Sequence, residues 1–259
     1  MLAALAVRPG SAADLERRDP RDTLGLAGKQ EAATRLDDLL DELASLQERL
    51  YAEGKRSVLL VLQGLDASGK DGTIRRVFTG VNPQGCNVTS FKAPSAVELA
   101  HDFLWRIHAQ CPARGMIGIF NRSHYEDVVT VGVLGLAPEE VWRRRPERIV
   151  EWERLLADEG TTVLKCFLHV SAEEQRERFA ERLADPSKRW KHNPKDEETN
   201  RRFREFTAAY EEALTATSTE WAPWYVIPAD RNWVRNLAVA TVLVEAVRRL
   251  DPQFPQPPG

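Results

Sequence analysis

The stretch Val58–Asp71 reads VLLVLQGLDASGKD, and it decides the fold. Its apolar run, Val58–Leu62, suits a strand buried on both faces. The run ends in a loop where Gly64, Gly69 and Lys70 stand at the spacing G-x-x-x-x-G-K. Glycines let backbone N–H groups turn inward around an anion, and the lysine adds a mobile positive charge. The helix predicted from Gly72 brings its positive dipole end to the same spot. Gly64, Ala67, Ser68, Gly69, Lys70, Asp71, Gly72 and Thr73 are therefore candidate phosphate-binding positions of a Walker A loop. Two residues depart from that pattern. Asp71 replaces the Ser or Thr whose hydroxyl normally touches Mg²⁺, and Asp66 lies inside the loop. A carboxylate within an anion cradle is costly unless a cation or phosphoryl chemistry needs it. Asp66 either caps the turn through an Asx hydrogen bond or binds metal and aligns an acceptor phosphate. Thr73 either caps the helix start or touches phosphate.

Outward from this loop, strand-like runs alternate with helical patterns. Apolar runs recur at Met116–Phe120, Val163–Val170 and Tyr225–Ile227, with a weaker one at Asn87–Phe91. Helical spacing occupies Gly72–Thr79, Val97–Ala109, Glu139–Ala157, Ala172–Ala184, Glu197–Leu214 and Trp233–Leu250. Alternation of this kind predicts right-handed crossovers and a five-stranded parallel sheet flanked by helices, an α/β fold. The ligand crevice then lies at the carboxyl ends of the strands. Residues 1–26 read as an extended arm, 27–251 as one domain and the Pro-rich 252–259 as a tail. Lys29–Glu53 carries Leu36, Leu39, Leu40, Leu43, Leu46 and Leu50 at helical spacing. That stripe packs on the domain body or serves a partner interface.

A second candidate cluster is FNRSHYED, Phe120–Asp127, directly after a predicted strand. Ordinary phosphate-loop enzymes end this strand in a metal-orienting Asp; here Asn121 stands there and the carboxylates come later, at Glu126 and Asp127. Ser123 and Glu126 have capping-box spacing, so Glu126 is open between capping and substrate contact. Asp127 reads as a catalytic or metal carboxylate. Arg122, a guanidinium in a strand-end crevice facing a phosphate loop, has an obvious bidentate target. Lys92, after the weak strand, is within plausible reach of the same place. The third cluster is Arg176–Arg204, RERFAERLADPSKRWKHNPKDEETNRRFR. Arg178 and Arg182 share a helix face, and a Pro-punctuated loop adds Lys188, Arg189, Lys191 and Lys195 around Trp190. A helix–basic loop–helix of this kind is the build of a lid over phosphates. Interspersed acidic residues leave a solvated helix pair as the alternative.

Composition narrows the classes. The 259 residues carry 36 basic and 39 acidic side chains, a formal net charge of −3. That balance argues against bulk nucleic acid as the main partner. Cys86, Cys111 and Cys166 lack C-x-x-C spacing, so neither a disulfide framework nor a zinc site is expected and a reducing cytoplasm fits. No stretch reaches transmembrane length, so no membrane partner is expected.

Taken together, GLDASGKDG at Gly64–Gly72, FKAPS at Phe91–Ser95, HDFLWR at His101–Arg106, FNRSHYEDV at Phe120–Val128, ERLADPSKRWK at Glu181–Lys191 and WYVIPAD at Trp224–Asp230 resemble the polyphosphate kinase 2 family. The form FNRSHYED resembles its class III. The resemblance implies a P-loop kinase fold similar to thymidylate kinase with a helical lid. It also implies transfer of phosphate, dependent on Mg²⁺ or Mn²⁺, between inorganic polyphosphate and nucleotides, with AMP and ADP as acceptors. Adenine and guanine nucleotides are the implied partners, and a homo-oligomer, dimer or tetramer, the implied assembly. By the same resemblance Asp66 would orient the acceptor phosphate or metal, Lys70 would bind phosphates, Arg122 would clamp the transferring group, and Glu126 and Asp127 would shape acceptor choice or hold metal. Arg178 and Arg182 would reach in from the lid. The chain departs from its relatives over Val128–Leu136, VVTVGVLGL, so no contact is carried over there. An ATP-dependent nucleoside monophosphate kinase and a non-catalytic polyanion-binding module are the competing readings.

Overall fold

The protein is described by a computed structural model that covers residues 1–187, 189–191 and 199–256. The five apolar runs form parallel strands: β2 (Ser57–Gln63), β3 (Cys86–Ser90), β4 (Ile117–Asn121), β5 (Thr161–His169) and β6 (Trp224–Pro228). Among the described residues the sheet has six strands rather than the five expected. Residues of the opening segment add a short antiparallel edge, β1 (Ala6–Val7), pairing Ala6 with Tyr225 and Val7 with Trp224. The reason lies in side chains that an extended arm would leave in water. Leu5, Val7, Ala13, Leu15 and Leu26 are buried, and Arg18 gathers the carbonyls of Ala4, Leu5, Ala6 and Ala13.

Strand order is β1-β6-β5-β2-β4-β3. From β2 the chain runs to the edge strand β3 and back to β4 on one side, then crosses β2 to β5 on the other, so a crevice opens at the carboxyl ends of β2 and β4. Register fixes what meets there, because Leu62 pairs with Asn121. The loop after Gln63 and the segment after Asn121 therefore face each other.

Among the described residues seven longer helices cover the sheet: α1 (Lys29–Glu53), α2 (Lys70–Val77), α3 (Val129–Leu134), α4 (Arg145–Asp158), α5 (Ala172–Ala184), α6 (Phe203–Thr217) and α7 (Asn232–Leu250). Leu36, Leu40, Leu43, Leu46 and Leu50 of α1 are buried, and α1 lies along α7. Each such leucine contributes roughly 1.5–3 kcal/mol. The stripe is thus covered within the chain. Val97–Ala109 breaks into two short helices, Ala96–Leu99 and Trp105–His108. Ser95 and Glu98 close a capping box on the first of them, which sets its start one residue early. No helix among the described residues is long and apolar enough to cross a membrane.

A fully buried polar knot ties the crevice segment to this frame. Lys165 on β5 donates to Glu153 Oε2 at 2.6 Å, Tyr125 Oη at 3.0 Å and Thr217 O at 2.7 Å. Its ammonium is therefore fully satisfied, and it also lies over the Trp224 ring. Tyr125, one of the FNRSHYED residues, is held by the same knot, so the crevice wall inherits the rigidity of the sheet. Removing one partner of a buried pair leaves the other charge uncompensated, at a cost of about 3–5 kcal/mol. Lys165→Met is expected to lose that much stability in chemical denaturation. Adding Glu153→Gln is expected to recover part of it, whereas equal losses in the single and double variants would show that the pair is not coupled.

Candidate active site

The loop after β2 takes its shape from three left-handed residues, Gly64 (φ 147°), Ala67 (φ 63°) and Gly69 (φ 99°). At Gly64 a Cβ would come within 2.8 Å of Leu168 O, so only glycine passes between loop and β5. Lys70 opens α2 and is almost wholly buried. Its Nζ arches back to Gly64 O at 2.7 Å and Leu65 O at 3.2 Å. Burial, with Arg122 close by, pushes its ammonium down to about 8 against the pull of Asp66, Glu126 and Asp71. The cradle is thus built on backbone and one strained cation, as its sequence pattern requires.

Arg122 faces this loop from the end of β4. Its backbone is left-handed, at φ 62°, which is uncommon for a residue with a side chain, and its N–H bonds Leu62 O at 3.1 Å. That kink turns the guanidinium across the crevice into an ion pair with Asp66. Burial alone would lower the guanidinium's proton affinity, but Asp66 and then Glu126 raise it above its ordinary value. The Asp66 side chain remains 27% exposed, so it is reachable from the crevice. Beside it, Asn121 Nδ2 donates to Asp71 Oδ1 at 2.8 Å. The amide and the carboxylate thus occupy, in exchanged order, the two places where a Walker Ser/Thr and a strand-end Asp ordinarily meet.

The other two carboxylates of the segment are already engaged. Glu126 accepts from Gln63 Nε2 at 3.3 Å and from Thr130 Oγ1 at 2.5 Å. The expected capping box does not form, since Ser123 Oγ accepts from Tyr125 N–H instead. Asp127 lies between Arg106 (3.5 Å) and Arg145 (3.7 Å) and is 13% exposed. Burial raises its carboxyl, which the two arginines oppose. A metal role at Asp127 would first require breaking both ion pairs. Arg106 also donates to Lys92 O at 2.8 Å, and Lys92 lines a cavity of about 380 Å³ with Phe91, Trp105 and Gln110.

Several expected contacts point elsewhere. Arg178 reaches not into the crevice but to the carbonyls of Ala67 (2.9 Å), Ala229 (2.7 Å) and Asp230 (2.9 Å). Arg182 lies over the Phe179 ring. Lys188 falls outside the described residues, as does Lys195. Thr73 Oγ1 accepts from Arg235 Nε at 2.7 Å and lies 3.3 Å from Asn236 Oδ1, so its hydroxyl serves packing. Gly72 lies 3.5 Å, counted from an ideal Cβ, from Arg235. The residues that sequence reasoning missed are Gln63, Gln175, Arg106 and Arg235. Gln63 carried a signal, as the polar residue that ends an apolar strand directly before Gly64.

A phosphate loop after the central strand, an arginine facing it from the neighbouring strand and a helical segment rising beside it define a P-loop kinase fold. Comparison with known proteins narrows the class. The Polyphosphate kinase 2 family matches residues 27–255, and the chain belongs to that family. It is similar to an AMP/ADP-polyphosphate phosphotransferase of Meiothermus ruber, 54% identical over 97% of this chain and 94% of that one. It is also similar to an ADP-polyphosphate phosphotransferase of Rhodopseudomonas palustris, 44% identical over 84% of this chain and 79% of that one. The crystal structure of Polyphosphate Kinase 2 from Arthrobacter aurescens TC1 superposes with a TM-score of 0.93 at 40% identity, covering 98% of this chain and 90% of that one.

Lys70 gives the site a pH signature. Its folded proton affinity lies below the free lysine value, so the cradle loses a positive charge as pH rises through about 8. A bound anion favours the protonated form, and linkage then weakens anion binding by up to about tenfold per pH unit above that point. KM for an anionic phosphate donor is expected to climb from about pH 8 to about pH 9.5. Lys70→Arg is expected to flatten the climb. A wild-type KM that stays level across this range would show that Lys70 does not meet the anion.

Proposed function

We propose that this protein transfers phosphate between inorganic polyphosphate and adenine nucleotides, making ADP from AMP and ATP from ADP, with the help of a divalent cation. The observation that carries the reading is the Asp66–Arg122 pair set across the phosphate loop. A carboxylate inside an anion cradle is costly unless something there needs it, and an acceptor that is itself a phosphate gives it a task. Polyphosphate offers no ring or base edge to recognise, so a crevice that binds it needs local positive charge rather than a shaped pocket. Lys70 and Arg122 supply that charge on a chain whose net charge is −3.

A hard divalent cation suits the donor set. Such ions take one or two carboxylates and complete their oxygen shell from substrate phosphates and water. Asp66 would hold the ion, with Asp71 alongside, and the ion would neutralise charge on the reacting phosphates. The remaining work falls to the chain. An oxygen of the nucleotide's terminal phosphate attacks the end phosphorus of the polymer. The new P–O bond forms as the bond to the shortened polyphosphate breaks, and the leaving chain departs as an anion. Lys70 exchanges its carbonyl partners for phosphate oxygens, and Arg122 swings from Asp66 onto the transferring group. The acceptor is already an anion at neutral pH, so no strong general base is required. Positioning and charge neutralisation carry the rate.

Purified protein given AMP or ADP, Mg²⁺ and long-chain polyphosphate is expected to form ADP and ATP in chromatographic assay. Absence of product with either acceptor would overturn the reading. Product from AMP with ATP as donor, and none with polyphosphate, would establish the nucleoside monophosphate kinase instead.

A further inference from the structure

Three successive carbonyls of the phosphate loop are each held from behind by a side chain of another element. Asp66 O accepts from Gln175 Nε2 at 2.9 Å, Ala67 O from Arg178 Nη1 at 2.9 Å and Ser68 O from Arg235 Nη1 at 3.4 Å. In a planar trans peptide the C=O and the following N–H point opposite ways. Each carbonyl drawn backward therefore turns the next N–H away from the clamp. The Ser68 N–H closes the turn onto Leu65 O at 3.1 Å, while those of Ala67 and Gly69 are left for the concave side.

Arg235 differs from the other two clamps. It is 3% exposed and sits in the first turn of α7, where the helix dipole disfavours a cation. Arg178 has a carboxylate partner, Glu174, at 2.8 Å. Among the described residues no carboxylate stands within salt-bridge distance of Arg235. Its N–H groups go to neutral oxygens: Thr73 Oγ1 at 2.7 Å, Asn232 Oδ1 at 2.6 Å, Asn236 Oδ1 at 3.3 Å and Ser68 O. A Cβ on Gly69 would overlap the guanidinium, so the loop backbone and the cation are in direct contact. Burial, and then the charge of Arg178, push the guanidinium down to about 9 against the pull of the more distant Glu174, which leaves it charged at neutral pH. A buried cation with no carboxylate in direct contact is costly. If packing were its only task, a neutral side chain of similar shape would be cheaper. The far face of this loop is where the anion binds, and a bound polyanion supplies the missing negative charge.

We propose that Arg235 is a positioning residue for phosphoryl transfer: from behind Ser68–Thr73 it fixes the loop backbone and adds positive charge that bound polyphosphate neutralises. The inference rests on the polyphosphate:nucleotide phosphotransferase reading of the crevice. It assigns two separable effects to one side chain. The charge strengthens binding of the anion, and the fork of donors holds the loop in register for transfer.

The test compares wild type, Arg235→Met and Arg235→Lys in the polyphosphate-dependent assay, with the melting temperature of each variant recorded with and without inorganic triphosphate. Arg235→Met removes the charge and is expected to raise KM for polyphosphate at least tenfold and to abolish the stabilisation by triphosphate. Arg235→Lys keeps the charge and loses the fork. Its KM is expected to stay within threefold of wild type while kcat falls at least tenfold. A purely structural arginine would lower both melting temperatures and leave kcat and KM of the folded enzyme unchanged, and that result would overturn the proposal. If Arg235→Met does not fold, Arg235→Lys decides alone, because an unchanged kcat there contradicts the positioning role. A wild-type enzyme without polyphosphate-dependent product would refute the underlying reading and not Arg235 itself.

Discussion

The site depends on a single constraint: an anion cradle has to stay assembled while its own charges repel one another. Lys70, Arg122, Arg178 and Arg235 all converge on the loop after β2, and three of these four are held by backbone carbonyls. The fourth, Arg122, is held by Asp66. That ion pair joins the ends of β2 and β4 across the crevice and offsets part of that charge. It is also the pair that a phosphate substrate would divide, since the guanidinium and the carboxylate have different targets on the reacting groups. The same contact therefore serves assembly before binding and chemistry after it.

Rigidity reaches this pair along two routes. From below, the Lys165–Glu153–Tyr125 knot fixes the FNRSHYED segment onto the sheet. From behind, Gln175, Arg178 and Arg235 fix the loop carbonyls. Gln175 also accepts from Asn200 Nδ2 at 2.8 Å, so the far limb of the predicted lid is tied to the same loop. Neither route places a group in the crevice itself, yet both set the geometry that transfer needs, in which small displacements are costly.

Much of this was legible in the sequence. The alternation of apolar runs and helical patterns identifies the five parallel strands, and the G-x-x-x-x-G-K spacing places the cradle. Strand ends bring Asp66, Lys70 and Arg122 together, as their positions suggest. What escaped the reading are pairings between distant residues. Nothing in the motif around Asp127 shows that Arg106 and Arg145 enclose it, and a charged residue on a lid helix looks the same whether it meets substrate or, as Arg178 does, a carbonyl. Arg235 lies within an ordinary helical pattern, and its burial follows from how α7 crosses α2 rather than from its neighbours in sequence. The β1 edge was missed because two residues are too few to give a periodicity.

The central claim is that Asp66, besides pairing with Arg122, acts in transfer and is not needed to bind polyphosphate. Calorimetric titration of Asp66→Asn with polyphosphate, alongside single-turnover transfer to ADP, tests it most directly. Removing a negative charge from the cradle should leave polyphosphate affinity equal to or tighter than wild type, while transfer falls by about 10²–10³-fold. Loss of affinity in step with transfer, or wild-type transfer by the variant, would contradict the account.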